Sequence, residues 1–171
     1  MREVSKVKEL DKPRKAELRI LKAEQDDIKE ILALQYRAYQ SEAIIYNDFS
    51  IQPLTQTLEQ AVDECQYCVL LKAVLDDRII GSVRAYEKND TAYVGKLMVD
   101  PDYQNQGLGR LLLQAIESEF PGKRFELFTG HRSVKNITLY EKCGYSRFKE
   151  EKTPEFTFVY LEKPAVYLAR L

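Results

Sequence analysis

The sequence predicts a mixed α/β domain in which an antiparallel meander delivers its last strand to a strand–loop–helix–strand unit. Three observations carry this. Residues 67–99 hold three strand-like runs, parted by Asp76-Asp77 and Lys88-Asn89-Asp90, gaps short enough only for antiparallel hairpins. Residues 94–119, VGKLMVDPDYQNQGLGRLLLQAIESE, pass from an apolar strand through a proline turn and a glycine loop into an amphipathic helix. After the Pro121-Gly122 stop, Phe125-Glu126-Leu127-Phe128-Thr129 reads as a strand returning parallel to the first, which makes a βαβ unit.

Earlier in the chain, residues 1–16 are highly charged and read as an arm, leaving 17–171 as a single domain. Residues 18–23 alternate as an opening strand does, and Ile28, Ile31, Leu32, Leu34, Gln35 and Tyr39 fall at helical spacing within 24–39. Residues 40–55 lose periodicity, and a second helix is expected from Leu54 or Thr55 to Glu64. The helix after the glycine loop should bury Leu108, Leu111, Leu112, Ala115 and Ile116 and run to about Phe120. Ser133 fits the N-cap of a helix reaching Lys142, Gly144 its C′ position, and residues 145–149 and 156–161 two closing strands. Residues 163–171 form a tail whose Val166, Tyr167 and Leu168 are available for packing.

At 171 residues, 44% hydrophobic and 31% charged, the chain has the make-up of an ordinary globular domain with a substantial core. A net charge of −1 supplies no basic field, so nucleic acid is not an expected partner. Nor is a membrane, because no apolar run approaches spanning length; the charged start lacks the apolar core of a secretory signal, and the cytoplasm is the expected compartment. Three cysteines suit a reducing compartment. Cys65 and Cys68 make a CxxC pair, but with no second pair and His131 the only histidine they read as buried apolar residues, and no metal is expected.

The loop Gln104-Asn105-Gln106-Gly107-Leu108-Gly109 suits an anion: glycines let a ligand approach the backbone, and the first turn of the following helix offers unpaired N–H groups at its positive end. It is not a dinucleotide fingerprint, since Leu112 stands where a third small residue belongs, nor a Walker loop, since Gly109-Arg110-Leu111 replaces Gly-Lys-Ser/Thr. It does resemble motif A of the GNAT N-acetyltransferase superfamily: Gln104, Gly107 and Gly109 follow the strand end Leu97-Met98-Val99. Asn136-Ile137-Thr138-Leu139-Tyr140-Glu141-Lys142-Cys143-Gly144-Tyr145 resembles that family's second element at the expected separation. Similarity spans residues 17–162 or so and is nearest to small bacterial GNAT proteins of undefined substrate.

The resemblance implies a central, mostly antiparallel twisted sheet with a splayed parallel strand pair, flanked by about four helices. It also implies acetyl-CoA as cosubstrate. By that likeness, backbone N–H groups of Gln104, Asn105, Gln106, Gly107, Leu108 and Gly109 hold the pyrophosphate, and the backbone of Leu97, Met98 and Val99 pairs with the pantetheine amides. Met98 would supply a main-chain oxyanion contact, and Asn136 would touch the pantetheine arm. Arg110, Arg132 and Lys135 are candidates for the adenosine phosphates. Tyr140 is the expected general acid, placed to protonate the departing thiolate.

The base is left open. Tyr93 stands where some GNAT enzymes carry a strand glutamate, so His131, a water relay, or no dedicated base at all are the alternatives. Glu42, Tyr46, Asp48 and Phe49 lie in the region that walls the family's acceptor site and are expected to meet a cationic amine. That amine is a small molecule, such as a polyamine or antibiotic-like amine, or the N-terminus or lysine of a protein. The function expected is therefore amine acetylation by direct attack in a ternary complex. The alternative is a non-catalytic acyl-CoA-binding or regulatory module, and a homodimer is one expected assembly because dimers are frequent in the family.

Overall fold

The hairpins form as β2 (Val69–Leu75), β3 (Arg78–Lys88) and β4 (Thr91–Val99) in a computed structural model that describes residues 17–166. Residues 1–16, Tyr167 and Leu168 lie outside the described residues. Both hairpin turns are tight: Asp76, Asp77, Asn89 and Asp90 have φ of 47°, 62°, 50° and 58°, the left-handed pair geometry whose twist matches the flanking strands. β1 (Leu18–Lys22) adds antiparallel to the free edge of β2. On the other side, β5 (Arg124–Gly130) runs parallel to β4, and β7 (Thr157–Lys163) inserts between β5 and β6 (Ser146–Lys152). The result is one seven-stranded sheet in the order β1-β2-β3-β4-β5-β7-β6, with β4–β5 its parallel pair.

Helices pack on both faces of the centre of the sheet, while β6 is exposed along its whole length. α5 (Leu108–Ser118) and α6 (Val134–Lys142) bury Leu108, Leu112, Leu113, Ile116 and Ile137 against Val83, Ala85, Val94, Leu127 and Leu161. Leu113, not Leu111, completes that stripe; Leu111 is exposed, lying one step round the helix from the core face. On the opposite face, α1 (Ile28–Ala38) packs Ile31, Leu34 and Ala38 on Val74, Ile79 and Met98. α4 (Leu58–Cys65) meets α1 through Ala61, beside Ile28 and Leu32.

Between these helices the structure departs from the sequence reading. Residues 40–55 contain α2 (Gln40–Tyr46) and the single turn α3 (Gln52–Thr55) rather than a loop. The next helix starts at Leu58 because Thr57 and Gln60 form a capping box: Gln60 N–H donates to Thr57 Oγ1 (3.2 Å) and Thr57 N–H to Gln60 Oε1 (2.9 Å). Cys65 and Cys68 are free and only partly buried, at the join of α4 and β2, not the core residues expected. The Cys65 thiol is drawn down to about 7, first by its hydrogen bond with Cys68 and then by the field of Arg84.

Candidate active site

Parallel pairing of β4 with β5 lasts three positions, from Thr91↔Arg124 to Tyr93↔Glu126, and then the strands part. The cause lies in β4: its register with β3 slips between Ser82 and Arg84, and Lys96 takes a left-handed φ of 48°, a bulge that bends the strand. From Val94 onward the edge of β4 facing β5 has no strand partner. Met98 is 5% exposed with its side chain sunk among Ile31, Leu34 and Val74, and its main chain stands opposite Ser82 on the β3 side, in phase with the Asp100 N–H that donates to Ile80 O; the neighbouring Val99 carbonyl faces the other way and takes Gln104.

Asp100 shapes the entry to the loop. Its buried carboxylate accepts the Asp102 N–H (3.1 Å) and Arg37 (2.8 Å); burial alone would raise its pKa, and these two bonds hold it below the ordinary value. Gln104 Nε2 donates to Val99 O (3.1 Å), tying the loop back to the strand end. Asn105 and Gly107 are left-handed, with φ of 59° and 84°. Such turns aim successive N–H groups to one side, and α5 opens with no side-chain cap to occupy its first donors. Gly109 serves differently from the sequence reading: an added Cβ would lie 3.2 Å from Leu139 of α6, so this glycine lets two helices close together, and Gly107 is the conformational one. Arg110, Arg132 and Lys135 are exposed near this end, with no ion-pair partner among the described residues.

Across the mouth of the parted strands, α2 is stapled to the β5–α6 junction. Ser133 does sit at the N-cap, but its hydroxyl donates to Glu42 Oε2 (2.5 Å) instead of capping α6, and Asn136 Nδ2 donates to Glu42 Oε1 (3.1 Å). The Tyr46 hydroxyl accepts the Arg132 N–H (2.9 Å) and lies 3.0 Å from Ser133 Oγ. Glu42 and Tyr46, expected to meet an amine, are thus engaged within the chain. Asp48 is likewise taken by the Ser50 N–H (2.8 Å) and hydroxyl (2.6 Å), while Phe49 is exposed. His131 Nδ1 lies 3.0 Å from the Thr157 nitrogen and 3.3 Å from the Thr157 oxygen, which anchors the ring to β7 by either tautomer. Tyr93 stacks on Tyr86 at 5.3 Å.

The second motif has a backbone explanation. Gly144 (φ 92°) sits at C′ of α6; its N–H donates to Glu141 O (3.1 Å) and the Tyr145 N–H to Tyr140 O (3.1 Å), the two bonds of a Schellman cap. The Tyr140 and Tyr145 rings, 6.1 Å apart, supply its hydrophobic contact. Tyr140 is therefore held by the helix end that the glycine makes. Its hydroxyl pKa is raised, first by burial and then by Tyr39 and Glu42, so it keeps its proton through the neutral and alkaline range. Tyr39, missed by the sequence reading except as a core position, is pushed up to about 12, again first by burial.

Also missed was a polar cluster beneath α1 and α4. Glu64 pairs with Arg84 and with Lys96 (2.9 Å) and accepts Gln56 Nε2 (2.6 Å); Gln56 in turn accepts Lys96 and Gln35 Nε2 (3.0 Å). The cluster clamps the bulged residue of β4 to α4, and no sequence signal links these scattered residues.

Comparison with known proteins now decides the family: residues 26–145 match the model of the acetyltransferase (GNAT) family. The chain belongs to that GNAT family. A curated relative, the UPF0157 protein YqkA of Bacillus subtilis (strain 168), is 29% identical over 131 residues, covering 74% of this GNAT chain and 37% of YqkA. The chain therefore spans little more than a third of that relative's length. Among solved structures, the ribosomal-protein-S18-alanine N-acetyltransferase of Escherichia coli superposes with a TM-score of 0.74 at 19% identity, covering 91% of this chain and 99% of that one. The PaiA N-acetyltransferase of Thermoplasma acidophilum, solved with coenzyme A, gives 0.71 at 16% identity over 86% and 99%. These likenesses establish the GNAT fold, and the family uses acetyl-CoA. No helix of the described residues is long and apolar enough to cross a membrane.

Proposed function

We propose that this GNAT protein transfers the acetyl group of acetyl-CoA to a primary amine by direct attack within a ternary complex. The observation that carries this reading is the parting of β4 from β5 after three paired positions, which leaves a main-chain edge free beside a loop with left-handed turns. The edge of residues 97–99 pairs with the pantetheine amides, the N–H groups of residues 104–109 take the pyrophosphate, and Asn136 steadies the arm. An N–H at Val99, on the edge turned away from β3, meets the acetyl oxygen as it becomes negative. The attacking nitrogen forms the C–N bond and sheds a proton as the C–S bond breaks. Tyr140 donates to the leaving sulfur, and the nitrogen's proton replaces the one it gives, so amine and thioester become amide and thiol. With a tyrosine, Tyr93, at the position of the strand glutamate, solvent receives the ammonium proton beforehand.

Calorimetric titration with acetyl-CoA, with NADH and ATP as controls, tests the cradle; saturable 1:1 binding of acetyl-CoA alone is expected, and its absence overturns the reading. Tyr140→Phe should lower kcat by about 10²–10⁴-fold at nearly unchanged acetyl-CoA affinity, and equal loss of both would remove the acid role. The Tyr93 position favours one second reading, a binding module without turnover. Tight acetyl-CoA binding with no acetylated product from any amine would select it.

A further inference from the structure

The half of the sheet that no helix covers among the described residues carries a row of aromatic rings, and the row begins at the slot. Phe128 lies on β5 two residues past the last position paired to β4, on the face opposite the α5–α6 core, and is 58% exposed. It meets Phe158 edge-on at 5.4 Å and Tyr160 at 5.6 Å; Phe158 meets Phe156 at 4.6 Å, and Phe156 meets Tyr46 at 5.5 Å. Phe128 is exposed and Phe156, Phe158 and Tyr160 are half-buried, an aromatic surface that starts beside the parted strands and suits a ligand entering between them.

The surrounding charges say what it binds. At the far end the rings already carry cations: Lys149 Nζ stands 4.6 Å above Tyr160, and the Arg124 guanidinium 5.1 Å above Phe148. Phe128 carries none among the described residues. The carboxylates that would hold a polyamine are engaged: Glu42 by Ser133 and Asn136, Asp48 by Ser50, Glu64 by Arg84 and Lys96, and Glu126 and Glu162 by Arg124. Glu155, in the β6–β7 turn beside Phe156, is exposed and has no partner among the described residues, enough to attract one ammonium. A peptide backbone needs polar partners along its length, and the guanidinium and carboxylates bordering these rings are already spent on one another. A flat apolar body with a single amine needs none of them.

We propose that the acceptor is an arylalkylamine, its ring lying on Phe128 and Phe158 and its nitrogen reaching the slot between β4 and β5. The proposal rests on the acetyltransferase reading and specifies its acceptor. Initial rates of CoA thiol release are compared for phenethylamine, n-butylamine, spermidine and the tripeptide Phe-Ala-Ala, with acetyl-CoA binding measured on the same preparation. Phenethylamine should exceed each of the others in kcat/KM by at least about tenfold, the worth of burying one ring face. Phe128→Ala should erase most of that advantage through KM, with acetyl-CoA affinity and melting temperature kept, because the side chain is largely exposed. Equal or better turnover of butylamine, spermidine or the tripeptide overturns the proposal, as does a Phe128→Ala variant that keeps the preference. Those failures leave acetyl-CoA binding intact; failure of acetyl-CoA to bind at all would bring down the acetyltransferase reading and this acceptor together.

Discussion

Gly130→Ala should unlatch α2 from the end of β5, and its cost follows from two hydrogen bonds. A Cβ at this position would lie 2.0 Å from the Tyr46 hydroxyl oxygen and 2.5 Å from Cζ, distances no packing tolerates, so the ring must swing away. It then loses the Arg132 N–H (2.9 Å) and Ser133 (3.0 Å) contacts, each worth roughly 0.5–1.5 kcal/mol. Alanine gives back about 0.4–1 kcal/mol by restricting the unfolded chain, because this glycine is not left-handed. The net is a loss of up to about 2.6 kcal/mol, with a midpoint of about 1.3 kcal/mol, or at most roughly 10 °C in Tm for a domain of this size. Denaturant melts of Gly130→Ala, Tyr46→Ala and the double variant close the cycle. With the ring gone, the glycine change should become neutral or stabilising by about 0.4–1 kcal/mol. An equal cost in both backgrounds would refute the steric account.

Gly107→Ala meets no neighbour within 4 Å, yet its φ of 84° should cost roughly 1–2 kcal/mol of strain and re-aim the loop donors. A lowered Tm together with weaker acetyl-CoA binding by calorimetry is the expected pair of readings. Glu64 titrates at about 2: burial pushes its carboxyl up, and hydrogen bonds from Arg84, Lys96 and Gln56 more than reverse that. A depressed folded pKa stabilises above the unfolded value of about 4.3 and is lost as pH falls toward 2. After discounting for a carboxylate about one-third exposed, the contribution is on the order of 1–2 kcal/mol. The Tm gap between the native chain and Glu64→Gln should therefore be full at neutral pH and shrink between about pH 4 and pH 2; a gap that does not change with pH would contradict the pairing.

The parts legible in the sequence were those whose causes are local. A proline, two glycines and a leucine stripe place the strand–loop–helix unit, and the tyrosine–glycine–tyrosine spacing of α6 is the spacing of a Schellman cap. α2 has no such signature. Ile44 and Ile45 face outward, only Ala43 is buried, and the helix is fixed by contacts reaching 87 and 94 residues along the chain. The bulge at Lys96 is equally silent, because no residue preference marks a lysine for left-handed backbone; what holds it there is a clamp from Glu64 and Gln56. Alternation in β5 and β7 announced strands but could not tell whether their outward rings would be covered.

The α2 staple also joins the two halves of the chemistry. Asn136 has one amide, and its Nδ2 donates to Glu42, so in the proposed reaction Oδ1 is the atom that would accept an N–H of the pantetheine arm. The same carboxylate takes the Ser133 hydroxyl, which in turn meets Tyr46, and Tyr46 packs on Phe156 at the other end of the aromatic row from Phe128. Glu42, expected to meet the amine, thus holds the residue proposed to steady the CoA arm. If both ligands bind as proposed, this one hydrogen-bonded unit touches each of them, and acetyl-CoA should then tighten acceptor binding.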